Sequence, residues 1–429
     1  VRGLRERMAG LVADTRPLRN EHFRRLWLAN IITVVGAQLT VVAVPAQIYD
    51  VTGSSAYVGL TGLFGLVPLI VFGLWGGALA DVFDRRTMLM ITTSGLIGTS
   101  ALFWLQAAMG NTNVWLLLGL FAVQQAFFAV NQPTRAAILP RLLTPDLLPA
   151  ANSLSMTVFQ AGAIGGPLVA GVLIPILGYQ WLYLVDTITL FATLGAVVRL
   201  PRLPVEGPTT SPGLRSVLEG FRYLGGHPVL LMSFVVDLIA MIFGMPRALF
   251  PEIAHVSFGG PDEGGLVFAL LFAAIPTGAV LGGVFSGWVS RVDRQGYAVI
   301  VCILVWGAAM TGFGVAVALA DYRGMLLVAL LMLVIGGAAD MASAAFRTSM
   351  LQSAAADSVR GRLQGVFVVV VAGGPRIADV VHGTSAAMVG TAAAAAGGGV
   401  LVVVGTVVAA IAVPSFVRYR LSRTTTIAR

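Results

Sequence analysis

The chain has no lysine among its 429 residues, a single cysteine and four histidines. Each scarcity closes a class of function. A phosphate loop of the Gly-x-x-x-x-Gly-Lys-Ser/Thr kind needs its lysine, so nucleotide hydrolysis by that device is excluded. Cys302 alone forms neither an intrachain disulfide nor a thiolate cluster. His22, His227, His255 and His382 are too far apart for metal-ligand spacing. No nucleophile–base pair is apparent, so the expectation is no enzyme, no cofactor and no metal. Charge is scarce as well. Asp, Glu, Lys and Arg make up 11% of the chain and hydrophobic residues 57%, whereas soluble domains carry about a quarter charged residues. The first twenty residues are arginine-rich and too polar for a signal core, so no cleavable leader is expected.

What is present is apolar sequence in long runs, with a mean hydropathy of +0.89. A soluble fold of this length cannot hide so much apolar surface, and each membrane span takes roughly 20 residues. Twelve segments can be drawn, at 26–49, 56–80, 88–109, 113–138, 150–177, 180–199, 229–254, 264–289, 296–319, 324–350, 364–389 and 391–415. The turn near Gly390 is the least marked. The predicted fold is an all-α membrane protein of twelve transmembrane helices in two pseudo-symmetric six-helix bundles.

Net charge is +8, and its distribution points to topology rather than to nucleic acid. Arginines cluster before segment 1 and after segments 2, 4, 6, 8, 10 and 12; Arg347 is counted among those after segment 10. Opposite loops hold Asp50, Glu252, Asp262, Glu263 and Asp321, with Arg323 as their base. By the positive-inside rule both termini are cytoplasmic. The expected divisions are a cytoplasmic segment 1–25, a bundle 26–199, a cytoplasmic linker 200–228, a bundle 229–415 and a tail 416–429. The linker carries Pro201, Pro204, Pro208 and Pro212 and then a basic amphipathic piece. A weak repeat supports the division: Val44-Pro45 corresponds to Phe250-Pro251, and Gly166-Pro167 to Gly374-Pro375.

Between segments 2 and 3 stands Gly77-Ala-Leu79-Ala-Asp81-Val-Phe-Asp84-Arg85-Arg86. It resembles the loop Gly-x-Leu-x-Asp-x-x-Gly-Arg-Arg/Lys of major facilitator superfamily transporters, with Asp84 in place of the later glycine. Segment 5 carries Gly162-Ala-Ile-Gly-Gly166-Pro167-Leu-Val-Ala-Gly171, which resembles the superfamily's antiporter motif with Ala170 replacing a glycine. Val44-Pro-Ala-Gln47-Ile48, Tyr57-Val-Gly-Leu60, Ala273-Ala-Ile-Pro276 and Gly361-Arg-Leu-Gln-Gly365 resemble enterobactin exporters. Pro133-Thr-Arg135-Ala-Ala-Ile-Leu-Pro140 is shared with the multidrug efflux branch. The resemblance implies proton-driven efflux of an amphipathic small molecule, siderophore-like or drug-like, from a bacterial inner membrane, by a monomer with no nucleic-acid partner. Nutrient uptake, facilitated diffusion and a non-transporting scaffold are the alternatives.

Ionisable groups in hydrocarbon cost about 2.5–3.5 kcal/mol on insertion scales, so each needs a reason. Asp237 in segment 7 has no basic neighbour in sequence. It exchanges protons, pairs with an arginine from another helix, or faces the cytoplasmic vestibule. Asp340 in segment 10 lies among small residues, and Asp379 in segment 11 is three residues from Arg376, with which it is expected to pair. Asp237, Asp340 and Asp379 are the candidate proton-coupling acids. Arg247, Gln38, Gln47, Gln124 and Asn131 are candidate substrate contacts, with Gln125, Gln132 and Gln160 as further cavity donors. Trp104, Phe121, Phe127 and Phe128 are available to stack on cargo. Asp186 is read as structural. At the basic rim, Gly77, Asp81, Arg85, Arg86, Arg135, Arg360 and Arg362 are expected to form a conformational gate.

Overall fold

The computed structural model describes residues 14–80, 84–201, 219, 222–261, 265–354 and 357–420, with the side chains of 74–80, 137, 145, 287, 288, 290, 352–354, 357–369 and 372 outside the description. Among the described residues, twelve long helices follow in chain order. They are α1 (Glu21–Thr52), α2 (Ser55–Ala80), α3 (Arg85–Ala108), α4 (Val114–Leu142), α5 (Leu148–Leu177) and α6 (Tyr179–Val198), then α7 (Pro228–Gly244), α8 (Leu266–Val284), α9 (Gln295–Ala318), α10 (Met325–Ala354), α11 (Asp357–Val389) and α12 (Thr391–Ala412). Eleven stretches pass a span test by length and apolarity, and α11 completes the set of twelve. Side chains such as Val67, Ile91, Phe159, Ile188, Leu327 and Val408 stand exposed around the outside, as lipid contact requires.

The helix starts obey local chemistry. Asn20 Oδ1 accepts from Phe23 N at 3.0 Å ahead of α1, and Asn113 Oδ1 accepts from Trp115 N at 2.9 Å ahead of α4. Asp84 caps α3, its Oδ2 accepting from Thr87 N (3.3 Å) and Oγ1 (3.0 Å). Two connections are reduced to one glycine each: Gly178 between α5 and α6, and Gly390 between α11 and α12, with φ of +76° and +84°. The predicted turn near Gly390 is thus present.

Packing repeats with a shift of six helices. In the first half α1 packs on α5 and α6, α2 on α4, and α3 on α4 and α6; in the second half α7 packs on α11 and α12, α8 on α10, and α9 on α10 and α12. The halves meet through α2 against α11 and α5 against α8, a pair of contacts that the same shift interchanges. Small residues carry the repeat. A methyl added at Gly166 would fall 2.2 Å from Gln38 Cβ in α1, and one at Gly374 would fall 3.0 Å from Met241 Cβ in α7.

Segment 7, drawn over 229–254, lies within the apolar stretch Pro228–Ser257, which is broken internally: α7 stops at Gly244, followed by turns Arg247–Leu249 and Phe250–Glu252 and a π-turn Ile253–Ser257. Pro246 has no N–H to continue the ladder. His382 of α11 meets the freed Phe243 carbonyl, Nε2 to O at 3.0 Å. Segment 8 was drawn to 289; α8 stops at Val284 and tightens into the 3₁₀ turn Ser286–Arg291.

Candidate functional site: charged clusters at the centre of the bundle

One end of the bundle carries Arg24, Arg199, Arg294 and Arg418, and the other Asp50, Glu252 and Asp321; these are called the basic and acidic ends. The halves close on each other at the acidic end. Gly265 N donates to Gly171 O at 3.0 Å, which places the last glycine of the segment 5 motif on α8. Gly59 and Gly383 face each other so closely that a methyl on either would collide with the other's Cα, at 2.8–3.0 Å. Ser55, at the first turn of α2, donates from Oγ (2.5 Å) and N (3.3 Å) to Oε2 of Glu252 in the other half. A carboxylate at a helix N-terminus is electrostatically favourable.

Deeper in, two charged clusters stand between or beside the halves. The first joins α7 and α10. Arg347 is ion-paired through Nη1 with Asp237 Oδ2, its Nη2 lies 4.0 Å from Asp340 Oδ1, and its Nε donates to Ser343 Oγ at 3.2 Å. Side-chain exposure is 1% for Asp237, 6% for Arg347 and 30% for Asp340, so Asp340 is the member that reaches accessible space. Asp237 lies nine residues into α7 from its basic end, about 14 Å at 1.5 Å per residue. Arg347 corrects the sequence reading. It belongs not to the rim but to the interior of α10, where it supplies the partner that Asp237 lacks locally.

The second cluster belongs to α11 and the broken end of segment 7. Arg376 does not pair with Asp379, as its spacing predicted. Its Nη2 donates across the halves to Gln125 Oε1 of α4 at 2.9 Å, and its Cζ lies 5.2 Å from the centre of the Phe121 ring. The glycines of α2 make room for it: a methyl at Gly65 would meet the guanidinium at 3.1 Å. Asp379, 6% exposed, sits in the field of both Arg247 and Arg376. Neither arginine has a carboxylate within ion-pair distance among the described residues.

The remaining candidates fall elsewhere. Gln47 pairs with Gln106 of α3 (3.1 and 3.3 Å) and accepts from the Tyr183 hydroxyl at 2.9 Å, inside the first half. Asp186 accepts from Thr40 (2.7 Å) and Ser100 (3.0 Å) in the same core, a structural arrangement. Asn131 donates to Thr92 and Thr93 at 2.9 and 3.2 Å. Gln38 lies against Gly166, and Gln124 is half-buried on α4 beside Gln125, which makes the cross-half contact. Of the aromatics, Phe121 is buried under Arg376, while Trp104 and Phe128 are 37% and 41% exposed. Arg86 caps the far end of α6, donating to Val198 O at 2.6 Å, and Arg135 donates to Asn30 Oδ1 at 2.8 Å. Asp81, the centre of the expected rim gate, lies outside the described residues, as do the side chains of Arg360 and Arg362; Gly77 is within α2.

A family described as transmembrane secretion effector matches residues 12–423, almost the whole chain. The chain belongs to this family of the major facilitator superfamily. Among curated relatives, the enterobactin exporter EntS of Shigella dysenteriae serotype 1 is 27% identical over 371 residues, 85% of each chain. Solved structures share the fold at lower identity. A mutant of the nucleoside transporter NupG superposes with a TM-score of 0.73 at 13% identity, covering 92% of this chain and 100% of its own. A bacterial homologue of the iron transporter ferroportin, in its inward-facing state, gives 0.67 at 14% identity, covering 92% and 98%. Within this secretion effector, Arg347 escaped the sequence reading of the site, masked by its nearness to the basic rim, and Gln125, named there as a cavity donor beside Gln124, is the glutamine that reaches the second cluster.

Proposed function

We propose that this secretion effector exports amphipathic small molecules by proton antiport with alternating access, as a monomer in a bacterial inner membrane with both termini in the cytoplasm. The basic end then faces the cytoplasm, as the positive-inside rule requires. Similarity to an enterobactin exporter favours a siderophore-like cargo. In this reading the acidic-end contacts of Ser55 with Glu252 and Gly171 with Gly265 close the outer gate.

The observation that carries the proposal is one arginine between two acids, Asp237 and Asp340, inside the membrane. With both carboxylates ionised the group holds a net negative charge, which is expensive in a low-dielectric interior. A proton cancels it. Asp340 takes that proton, because it is the exposed acid with the longer distance to Arg347, while Asp237 holds the guanidinium in place. Loading and unloading Asp340 thus changes the cost of burying the cluster, which shifts the balance between the two arrangements of the halves. Asp379 is not needed for this step. The basic-rim gate of Asp81 with Arg85, Arg135, Arg360 and Arg362 is the proposed counterpart on the cytoplasmic side.

The test is flux in everted membrane vesicles with an imposed pH gradient. The wild type should accumulate enterobactin or a cationic dye only while the gradient stands, and Asp340→Asn should abolish the gradient-driven part. A facilitator would equilibrate cargo without the gradient, and a scaffold would move nothing. Either result, or full activity of Asp340→Asn, would refute the proposal.

A further inference from the structure

The two clusters carry opposite surpluses. Around Arg347 there are two acids and one base. Around Asp379 there are two bases and one acid, Arg247 and Arg376 being the charges that act on it. The same argument that makes the first cluster a proton site makes the second a site for an anion, since a surplus guanidinium inside the membrane also needs a neutralising partner.

Three features make this second cluster a place for cargo rather than a structural pair. Arg376 stays half-exposed although its guanidinium lies against Gly65, where α11 of one half meets α2 of the other. Its contacts in the first half are a neutral amide, Gln125, and the face of Phe121, which leave its charge uncompensated. Arg247 opens the 3₁₀ turn Arg247–Leu249 that follows the end of α7, and it too is half-exposed. A planar anion fits such a pair, because a guanidinium fork matches a carboxylate or phenolate and the Phe121 ring offers an aromatic surface alongside.

We infer that Arg247 and Arg376, with Asp379 in their field and Arg376 set against Gln125 and Phe121, form a binding site for the anionic group of an aromatic cargo. This rests on the export reading above for its role in transport. The cargo's anion takes the place of Gln125 on Arg376. Binding therefore removes a bond between the halves at the same time as it neutralises the site.

The test uses the purified full chain in lipid nanodiscs and two fluorescent probes of the same shape, naphthoate, which is anionic, and naphthamide, which is neutral. Naphthoate should bind at least tenfold more tightly. Arg376→Gln and Arg247→Gln should each remove that preference while leaving naphthamide unchanged, and Arg376→Lys should keep most of it. Asp379→Asn, which raises the positive surplus, should tighten naphthoate binding, an effect that loss of folding cannot imitate. Equal binding of the two probes, binding of neither, or a preference that survives both glutamine variants would overturn the inference. Proton-driven export of a cationic dye without any naphthoate preference would leave the export proposal standing and this inference refuted. Naphthoate preference without gradient-driven flux would do the reverse.

Discussion

Arg347 pairs with Asp237 through one nitrogen and stands 4.0 Å from Asp340 with another, so a single guanidinium serves two carboxylates unequally. Removing the base leaves both acids uncompensated. Arg347→Gln is expected to destabilise the protein by about 3–5 kcal/mol, the usual cost of breaking a buried pair. The double variant Arg347→Gln with Asp237→Asn should recover most of that loss. Thermal unfolding in detergent checks both, and equal melting of single and double variants would show that the two residues are not coupled.

Glu252 holds the first turn of α2 from the opposite half. Ser55→Ala together with Glu252→Gln should weaken this contact and raise the population open at the acidic end. Spin labels at Val51 and Phe258 would report it as a longer distance in pulsed electron resonance. An unchanged distance distribution would mean that the glycine contacts alone keep this end shut.

Those glycine contacts give a sharper expectation. Gly383 lies within reach of the Ser55 carbonyl and the Gly59 Cα, where an added methyl would sit at 2.6 and 2.8 Å. Gly383→Leu should therefore prevent closure at the acidic end and reduce export by at least tenfold, with α11 itself intact by circular dichroism. Gly397, which has open space around it, is the control: Gly397→Ala should transport normally.

Asp84 stands where the superfamily loop has glycine, and it caps α3. Capping preferences rank aspartate above glycine by a few tenths of a kcal/mol and far above alanine. Asp84→Gly should thus be nearly silent, while Asp84→Ala should cost about 1 kcal/mol. Comparing the two melting curves decides it; equal losses would mean that the cap contributes nothing.

His382 meets the carbonyl that the break in α7 sets free. His382→Ala should leave Phe243 O unpaired and cost about 1–3 kcal/mol. His382→Gln, whose amide nitrogen is a donor, should retain part of the stability. If both variants melt as the wild type does, the break needs no cap.

Span number, the two bundles and the turn at Gly390 were legible because hydrophobic period and glycine chemistry are local. The break after Gly244 was partly legible, since Pro246 advertises it, but a proline inside a membrane helix is commonly absorbed as a kink. Partners of intramembrane charges were not legible. Arg376 and Asp379 share a helix face by spacing, yet the guanidinium turns to Gln125, 251 positions away in sequence. Asp237 looked solitary because its base is supplied by α10. Which charges neutralise which is a property of helix packing between distant segments, and nothing in one segment encodes it.

The hinges at Gly178 and Gly390 have a mechanical corollary. With one residue between rods, α6 must follow α5 and α12 must follow α11. The inner rods line the seam, while their companions present Trp181, Ile188 and Phe191, or Val404, Val408 and Ile411, to lipid. Any spreading at the acidic end would therefore displace acyl chains along two flanks, and the stiffness of the surrounding bilayer would resist it.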